Sequence, residues 1–413
     1  MSKPVIVVHY HELWLKGRNR NFFLNKLHIA LKRSLDGIPF SRIGRPGDRM
    51  IVVLQEETAV EEALSRIGRV LGVANYALAR TIERTPEAAM EEICEAAWQQ
   101  FATQDFATFA VRAKRSDKSF PLNAMAVESQ VGRYLLDKLR AAGRDVRVRL
   151  NDPEVTCHIE ITPGPVLVYS RKIPGPGGLP ANSGGRMMCL LSGGFDSAVA
   201  AYKMMRRGAH LSFVHFWGGG AREGESSVHV ARELARQLVP YQFTARLHLV
   251  PFEPLQREIV QAAPETYRIL LYRRLMLRIA SRLALRERVH ALVTGDSLGQ
   301  VASQTLQNMV AVGDAVRMPV FRPLAGDDKL EIMALARKIG TYEISAEPFH
   351  DCCPVFMPRI PALFASPEEL TRAEAALDME QLLRRGLESA TIEKFRLSAG
   401  RVESVAPVRA ATA

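Results

Sequence analysis

The sequence is short of several things, and each shortage excludes a class of protein. It has five cysteines in 413 residues, too few to staple a chain this size as a disulfide scaffold. It has no run of eighteen apolar residues, so no transmembrane helix is expected. It lacks G-x-x-x-x-G-K-[S/T], so the phosphate loop of kinases and motors is absent. No internal repeat and no low-complexity tract occurs. The start, Met-Ser-Lys-Pro then Val5–Val8, soon meets His9, His11 and Glu12; it is too short and too polar for a signal peptide. These features together predict a cytoplasmic protein with reduced thiols.

What is present is ordinary globular composition with a basic excess. Hydrophobic residues make up 47% and charged residues 24%, enough to bury a core in each of two or three domains. The net charge is 55 − 44 = +11. Residues 1–50 hold ten Lys or Arg against three Asp or Glu, a local surplus of +7. Such a surplus is the footprint of a polyanion partner, although charge alone does not choose between RNA, DNA and an acidic membrane.

The sharpest break is Ile173–Gly185, with three prolines and five glycines in thirteen residues. It cannot continue a helix or a central strand, and reads as a linker over 171–185. Upstream, strands and helices mix: strands at Pro4–His9 and Met50–Leu54, helices at Asn19–Leu35 and Val60–Arg69, giving one α+β unit over 1–65. A second, over 66–170, has helices Thr85–Gln100 and Pro121–Ala142 with strands Ala107–Ala113, Asp145–Leu150 and Val155–Thr162. In the last strand Val155, Cys157, Ile159 and Ile161 share one face, which assigns Cys157 to a core. Val111–Pro121 sets Arg112, Lys114, Arg115 and Lys118 beside Phe120. That is either a solvated loop or a phosphate clamp with an aromatic available for stacking.

Downstream, apolar strands (Met187–Leu191, His210–Phe216, Phe243–Val250, Ala291–Thr294) alternate with helices. This predicts a doubly wound α/β domain over 186–395 with a parallel sheet covered on both faces, followed by a helical stretch Pro367–Arg385 within it and a tail at 396–413. Ligands of such sheets bind beyond the carboxyl ends of the strands. There lies Ser192-Gly-Gly-Phe-Asp-Ser197, after the first strand and opening a helix. Small residues let backbone N–H groups approach phosphate oxygens, and the helix N-terminus adds partial positive charge. Ser192 and Ser197 can donate hydroxyls; Asp196 can cap the helix or help hold Mg²⁺.

That hexapeptide resembles the PP-loop of ATP pyrophosphatases. The similarity extends in order over nearly the whole chain to the tRNA 4-thiouridine synthase family, through His11–Arg20, the Gly-Gly-Leu-Pro linker, Leu190–Gly194, Thr294–Thr305 and Asp351–Phe356. The resemblance implies ferredoxin-like, THUMP RNA-binding and PP-loop domains. It implies that ATP and Mg²⁺ adenylate O4 of uridine 8 in tRNA, and that a cysteine persulfide then delivers sulfur with loss of AMP. The partners implied are tRNA and a cysteine desulfurase; a homodimer would suit a tRNA spanning two subunits. ATP contacts carry over to Leu190, Leu191, Ser192, Gly193, Gly194, Asp196, Ser197, His215, Phe216, Arg273, Gly295 and Gln304. RNA contacts are expected at Lys16, Arg18, Arg20, Arg112, Lys114, Arg115 and Lys118.

Cys352 and Cys353 are adjacent, and the Cys-Pro-Val-Phe match favours Cys353 as persulfide carrier. A thiolate is the required nucleophile, whereas adjacent cysteines with one His lack zinc-ligand spacing. No metal site is expected, and the cysteines are too few and ill-spaced to propose an iron–sulfur cluster. Cys189 reads as a resolving thiol or a buried strand residue, Cys94 as structural. The sequence after residue 395 leaves no room for the rhodanese domain of some relatives, which puts their relay to thiazole and thiamine synthesis in doubt here. Two rival classes remain: a PP-loop ligase or amidotransferase acting on a small molecule, and a THUMP tRNA-binding protein or methyltransferase. The first needs no basic RNA-binding half, and the second needs a Gly-rich methyl-donor loop after a strand, which is missing.

Overall fold

A computed structural model describes residues 3–83, 89–218, 227–347 and 358–409. The chain forms two compact units that divide between Pro180 and Ala181.

The first unit contains β1 (Val5–His9), α1 (Arg20–Ser34), β2 (Phe40–Gly44), β3 (Met50–Leu54), α2 (Val60–Ile67), β4 (Asn75–Ile82), α3 (Ala89–Phe101), β5 (Thr108–Arg115), α4 (Ala124–Ala141), β6 (Arg147–Val148), β7 (Val155–Ile161), β8 (Val166–Tyr169) and β9 (Ile173–Pro174). One sheet runs β2-β3-β1-β4-β8-β7-β5-β6, with β9 on β4. The strand β4 joins its two halves: residues 75–79 pair with β1 and 80–82 with β8. A domain ending at 65 would therefore cut before a strand that both halves share. Asn75, Ala77 and Ala79 weaken the β character of this strand, which is why alternation alone does not reveal it. Cys157, Ile159 and Ile161 face a core with Phe101, Phe109 and Leu135, as their phase predicts.

The alternate face of β7 is not solvated. Glu160 is 6% exposed. Its carboxylate accepts from Tyr169 Oη at 2.7 Å and meets His9 Nε2 at 2.8 Å and Arg49 Nε at 2.8 Å. Arg49 is fully buried and donates onward to Ser116 Oγ at 2.9 Å. Burial alone would raise the Glu160 pKa, but these partners hold it down to about 2.

The Gly/Pro segment is tethered. Gly175 N and Gly177 N donate to Ala74 O and Val73 O, and Gly72 N donates back to Gly177 O. A Cβ on Gly175 would stand 2.3 Å from Val73 O, so only glycine admits this approach.

The second unit contains β10 (Arg186–Leu190), α5 (Phe195–Arg206), β11 (His210–Trp217), α6 (Ser227–Gln242), β12 (Thr244–Pro251), α7 (Glu253–Ala262), α8 (Arg268–Arg286), β13 (Leu292–Val293), α9 (Leu306–Gly313), β14 (Val320–Phe321), α10 (Lys329–Lys338), α11 (Tyr342–Ala346), α12 (Pro367–Glu374), α13 (Met379–Glu388), β15 (Thr391–Ser398) and β16 (Arg401–Arg409). The sheet order is β14-β13-β10-β11-β12-β15-β16. Strands β10 to β14 are parallel, and the order reverses beside β10, which puts a crevice at the end of that strand. Helices α5, α6, α10 and α11 pack together on one side, and α7, α8, α9, α12 and α13 on the other. The second group closes a core of Val214, Val250, Phe252, Leu275 and Leu283, each side chain contributing about 1.5–3 kcal/mol by burial.

Residues 396–409 are not a loose tail. β15 pairs antiparallel with β12, and β16 with β15. Phe395 is buried at 2% exposure and Glu393 accepts from Arg232 at 2.7 and 2.8 Å. Among the described residues no helix is long and apolar enough to cross a membrane.

Candidate active site

The turn after β10 is built by its two serines. Ser197 Oγ accepts from Ser192 N at 3.0 Å and donates to Gly194 O at 3.0 Å. Ser192 Oγ accepts from Gly194 N at 3.2 Å. The N-cap of α5 is Gly194 in extended conformation with no side-chain cap, so the first N–H groups of the helix are left for a ligand. Gly295 lies against this helix start: a Cβ there would be 2.7 Å from Ser197 N. Cys189, below the turn, is fully buried with its thiol pushed up to about 12 by desolvation, which fits a strand residue and not a reactive thiol. Cys94 is likewise buried, with its pKa raised by desolvation and then by Glu91.

Above the turn opens a cavity of ≈ 470 Å³. It collects Leu190, Ser192, Asp196, Ser197, Arg273, Gly295 and Gln304 from the expected ATP set. Its other wall is apolar, with Ile269, Met276, Leu277 and Val312. Asp196, at the first turn of α5, is gripped by Lys329, whose Nζ is 3.0 Å from each carboxylate oxygen, and by Gln300 Nε2 at 3.2 Å. Asp296 is 5% exposed. Arg273 pairs with its Oδ1, Thr294 Oγ1 donates to Oδ2 at 2.8 Å, and Gln304 Nε2 donates to Oδ1 at 3.3 Å. Desolvation opposes the charge of Asp296, but Arg273, Thr294 and Arg322 together hold its pKa below the usual carboxylate range. Gln304 keeps a buried Oε1 with no hydrogen-bond donor among the described residues, an acceptor set in the cavity wall.

The helix that carries Arg273, α8, is tied to α12. Arg274 and Arg278 both fork onto Glu374 of α12, with contacts of 2.7 to 3.1 Å. Arg273 itself donates to Ser303 Oγ at 3.0 Å. Asp296, Arg322 and Lys329 were not among the residues expected from sequence. Asp296 sits inside the quoted Thr294–Thr305 stretch and was within reach; Arg322 and Lys329 follow a two-residue strand and a turn, and only the sheet brings them to the site.

The remaining expected ATP residues take other places. Leu191 is buried, and Gly193 and Gly194 supply the turn's backbone without lining the cavity. His215 is 2% exposed and bridges Leu191 O (Nδ1, 2.8 Å) and Ser227 Oγ (Nε2, 2.9 Å), so it braces the turn from behind. Phe216 packs edge-on against Phe252 at 5.3 Å in the core. Cys352 and Cys353 lie outside the described residues.

In the first unit, Asp48 draws the two expected RNA clusters together: Arg20 and Lys114 each lie 3.9 Å from its carboxylate. Arg20 also stacks 3.5 Å over the Trp14 ring, and Lys16 lies 5.1 Å from the Phe23 ring. Arg18 and Lys118 are exposed; Arg112 is exposed with a bond to Leu150 O. Arg115 is committed to Phe120 O (3.1 Å) and Leu122 O (3.0 Å), tying its own loop. Phe120 is not available for stacking: it is 3% exposed in the core with Val127 and Val131.

Three families match in chain order: the ThiI ferredoxin-like domain over residues 5–77, THUMP over 84–171, and ThiI (thiamine biosynthesis protein) over 182–379. The chain is 44% identical over 383 residues to a protein of Thermus thermophilus named "Probable tRNA sulfurtransferase", covering 93% of this chain and 92% of that one. It is 38% identical over 387 residues to the protein of that name in Moorella thermoacetica, covering 94% and 96%. The solved structure described as a 4-thiouridine synthetase–RNA complex with bound ATP superposes with a TM-score of 0.84 at 30% identity, covering 95% of this chain and 100% of that one. A Pyrococcus horikoshii structure at 24% identity and a TM-score of 0.61 shares the fold. The chain therefore belongs to the tRNA sulfurtransferase family.

Proposed function

We propose that this protein is an ATP-dependent tRNA sulfurtransferase that converts uridine 8 of tRNA to 4-thiouridine in the cytoplasm. The observation that carries the reading is the uncapped, glycine-lined start of α5 opening into a cavity with two arginines, in a chain of this family. The N–H groups of the helix N-terminus, Ser197 N among them, and the Ser192 hydroxyl take the phosphates. Gly295 lets the chain after β13 lie against the helix start that takes them, and Arg273 offsets negative charge as it develops.

In the first step O4 of the uridine attacks the α-phosphorus and pyrophosphate leaves. A persulfide sulfur on Cys353 then attacks C4, and AMP leaves. The C4–S bond is completed as a second thiol takes the other sulfur of the persulfide into a disulfide, which an external reductant must reopen. A cysteine desulfurase loads Cys353. The full burial of Cys189 supports a second thiol other than this one.

Mg²⁺ fits the donors present: it is commonly held by one or two carboxylates with phosphate oxygens and waters, and Asp196 borders the cavity at 25% side-chain exposure. Asp196 would hold it with the phosphates, and the ion would neutralise their charge. Lys16, Arg18, Arg20, Arg112, Lys114 and Lys118 hold the tRNA by phosphate contacts. A homodimer would let one tRNA use both copies.

The test is a reaction with tRNA transcript, ATP and a sulfur donor. Pyrophosphate release with a gain of one 4-thiouridine by nucleoside mass spectrometry is expected. No pyrophosphate and no mass gain overturns the reading.

A further inference from the structure

Arg322 follows β14, lines the same cavity, and lies outside every ATP contact that the family resemblance implied. Its guanidinium is anchored by one hydrogen bond and one ion pair: Nη2 donates to Met309 O at 3.2 Å, and Nε, buried without a hydrogen-bond partner among the described residues, lies at ion-pair distance, 3.4 Å, from Asp296 Oδ2. Nη1 has no protein partner among the described residues. Gly313 leaves the room this requires, since a Cβ there would sit 3.3 Å from Nη2. Arg273 takes the other oxygen of the same carboxylate.

One buried carboxylate is thus shared by two guanidiniums. A purely structural pair would need one. The second arginine leaves a positive charge unbalanced within the group, at the wall of a cavity that Ser192 and Ser197 at the start of α5 also line. A planar guanidinium held rigidly by a carboxylate, with N–H capacity to spare, is a preorganised oxyanion donor.

We infer that Arg322, oriented by Asp296, is a further binding residue of this site and, paired with Arg273, holds a phosphate group. The inference rests on the nucleotide reading above. The phosphate belongs either to ATP or to the RNA backbone at the nucleotide being modified. Both present the same oxyanion, and the arms of one experiment separate them.

The experiment uses the full chain with Arg322→Gln, Arg322→Lys and Asp296→Asn. For each, KM for ATP is measured at saturating tRNA, KM for tRNA at saturating ATP, and the melting temperature is recorded. Arg322→Gln is expected to raise one KM by about tenfold or more, the loss of a charge-assisted bond, with Arg322→Lys intermediate and Asp296→Asn raising the same KM. A rise for ATP assigns the phosphate to the nucleotide; a rise for tRNA assigns it to the RNA. Two KM values within about twofold of wild type overturn the inference, as does a loss of activity that is equal in the Gln and Lys variants and follows only a fall in melting temperature. An inactive wild type in the same assay would instead overturn the proposed function.

Discussion

Lys329 Nζ stands 3.0 Å from both carboxylate oxygens of Asp196 across the mouth of the cavity, joining the first turn of α10 to the first turn of α5. A lysine so placed ties the two helix starts together and adds a cation where phosphates would lie. Asp196→Ala should therefore cut ATP-dependent pyrophosphate release by about 10²-fold, the scale of losing one preorganised electrostatic group. Lys329→Met should do the same. Normal release from Asp196→Ala would remove the assigned role.

Cys353→Ser should abolish 4-thiouridine formation while tRNA binding and pyrophosphate release persist. The separation is chemical, because a serine cannot carry sulfane sulfur. Retained thiolation would move the assignment to Cys352, which Cys352→Ser would then confirm.

Gly295→Ala should disable the site without unfolding the unit. The added Cβ would meet Ser197 N at 2.7 Å and Ser197 Cα at 2.8 Å, both backbone atoms that cannot rotate away. The strand end must retreat from the helix start, and ATP binding should weaken by at least about tenfold. Calorimetric titration with ATP reads this directly.

Acid should unfold the first unit through two groups. Glu160 titrates near 4.5 when unfolded and at about 2 when folded, so between those values the unfolded chain binds more protons and stability falls as pH falls. His158 is pushed from 6.5 to about 4 by burial and then Lys172, which gives the same sign between pH 6.5 and 4. Glu160→Gln should flatten the lower window and cost about 3–5 kcal/mol at neutral pH, because Arg49 is left buried and unpaired. Chemical denaturation of each variant across pH 3 to 7 measures both.

The parts legible in the sequence are those written by local pattern. The alternation of β7 announced its core face, and the position of Ser192–Ser197 after an apolar strand announced a phosphate turn. Position within the sheet is another matter. Phe120 has polar neighbours on its N-terminal side, and its burial follows from how α4 packs on β5. His215 ends a strand beside the site, yet its ring faces the back of the turn, because Leu191 O and Ser227 Oγ claim both nitrogens. Arg322 and Lys329 are distant in sequence from the turn they serve. Nothing in their neighbours marks them, since the crossover order of the strands decides what they meet. Period alone puts Glu160 on the face of β7 opposite Cys157, and only the approach of His9 from β1 and of Arg49 from the turn before β3 makes it an ion-pair hub.

The antiparallel pair β15–β16 also sets a condition on how the catalytic unit comes into being. Its parallel strands are all synthesised by residue 321, but the outer side of β12 has no partner until residues 391–398 leave the ribosome. Until then a strand reading Thr244–Pro251 offers a row of unsatisfied amides and carbonyls, an invitation to intermolecular pairing. Fragments ending before Thr391 should clump in cells, so this hairpin serves during biosynthesis as the stitch that seals an otherwise adhesive border.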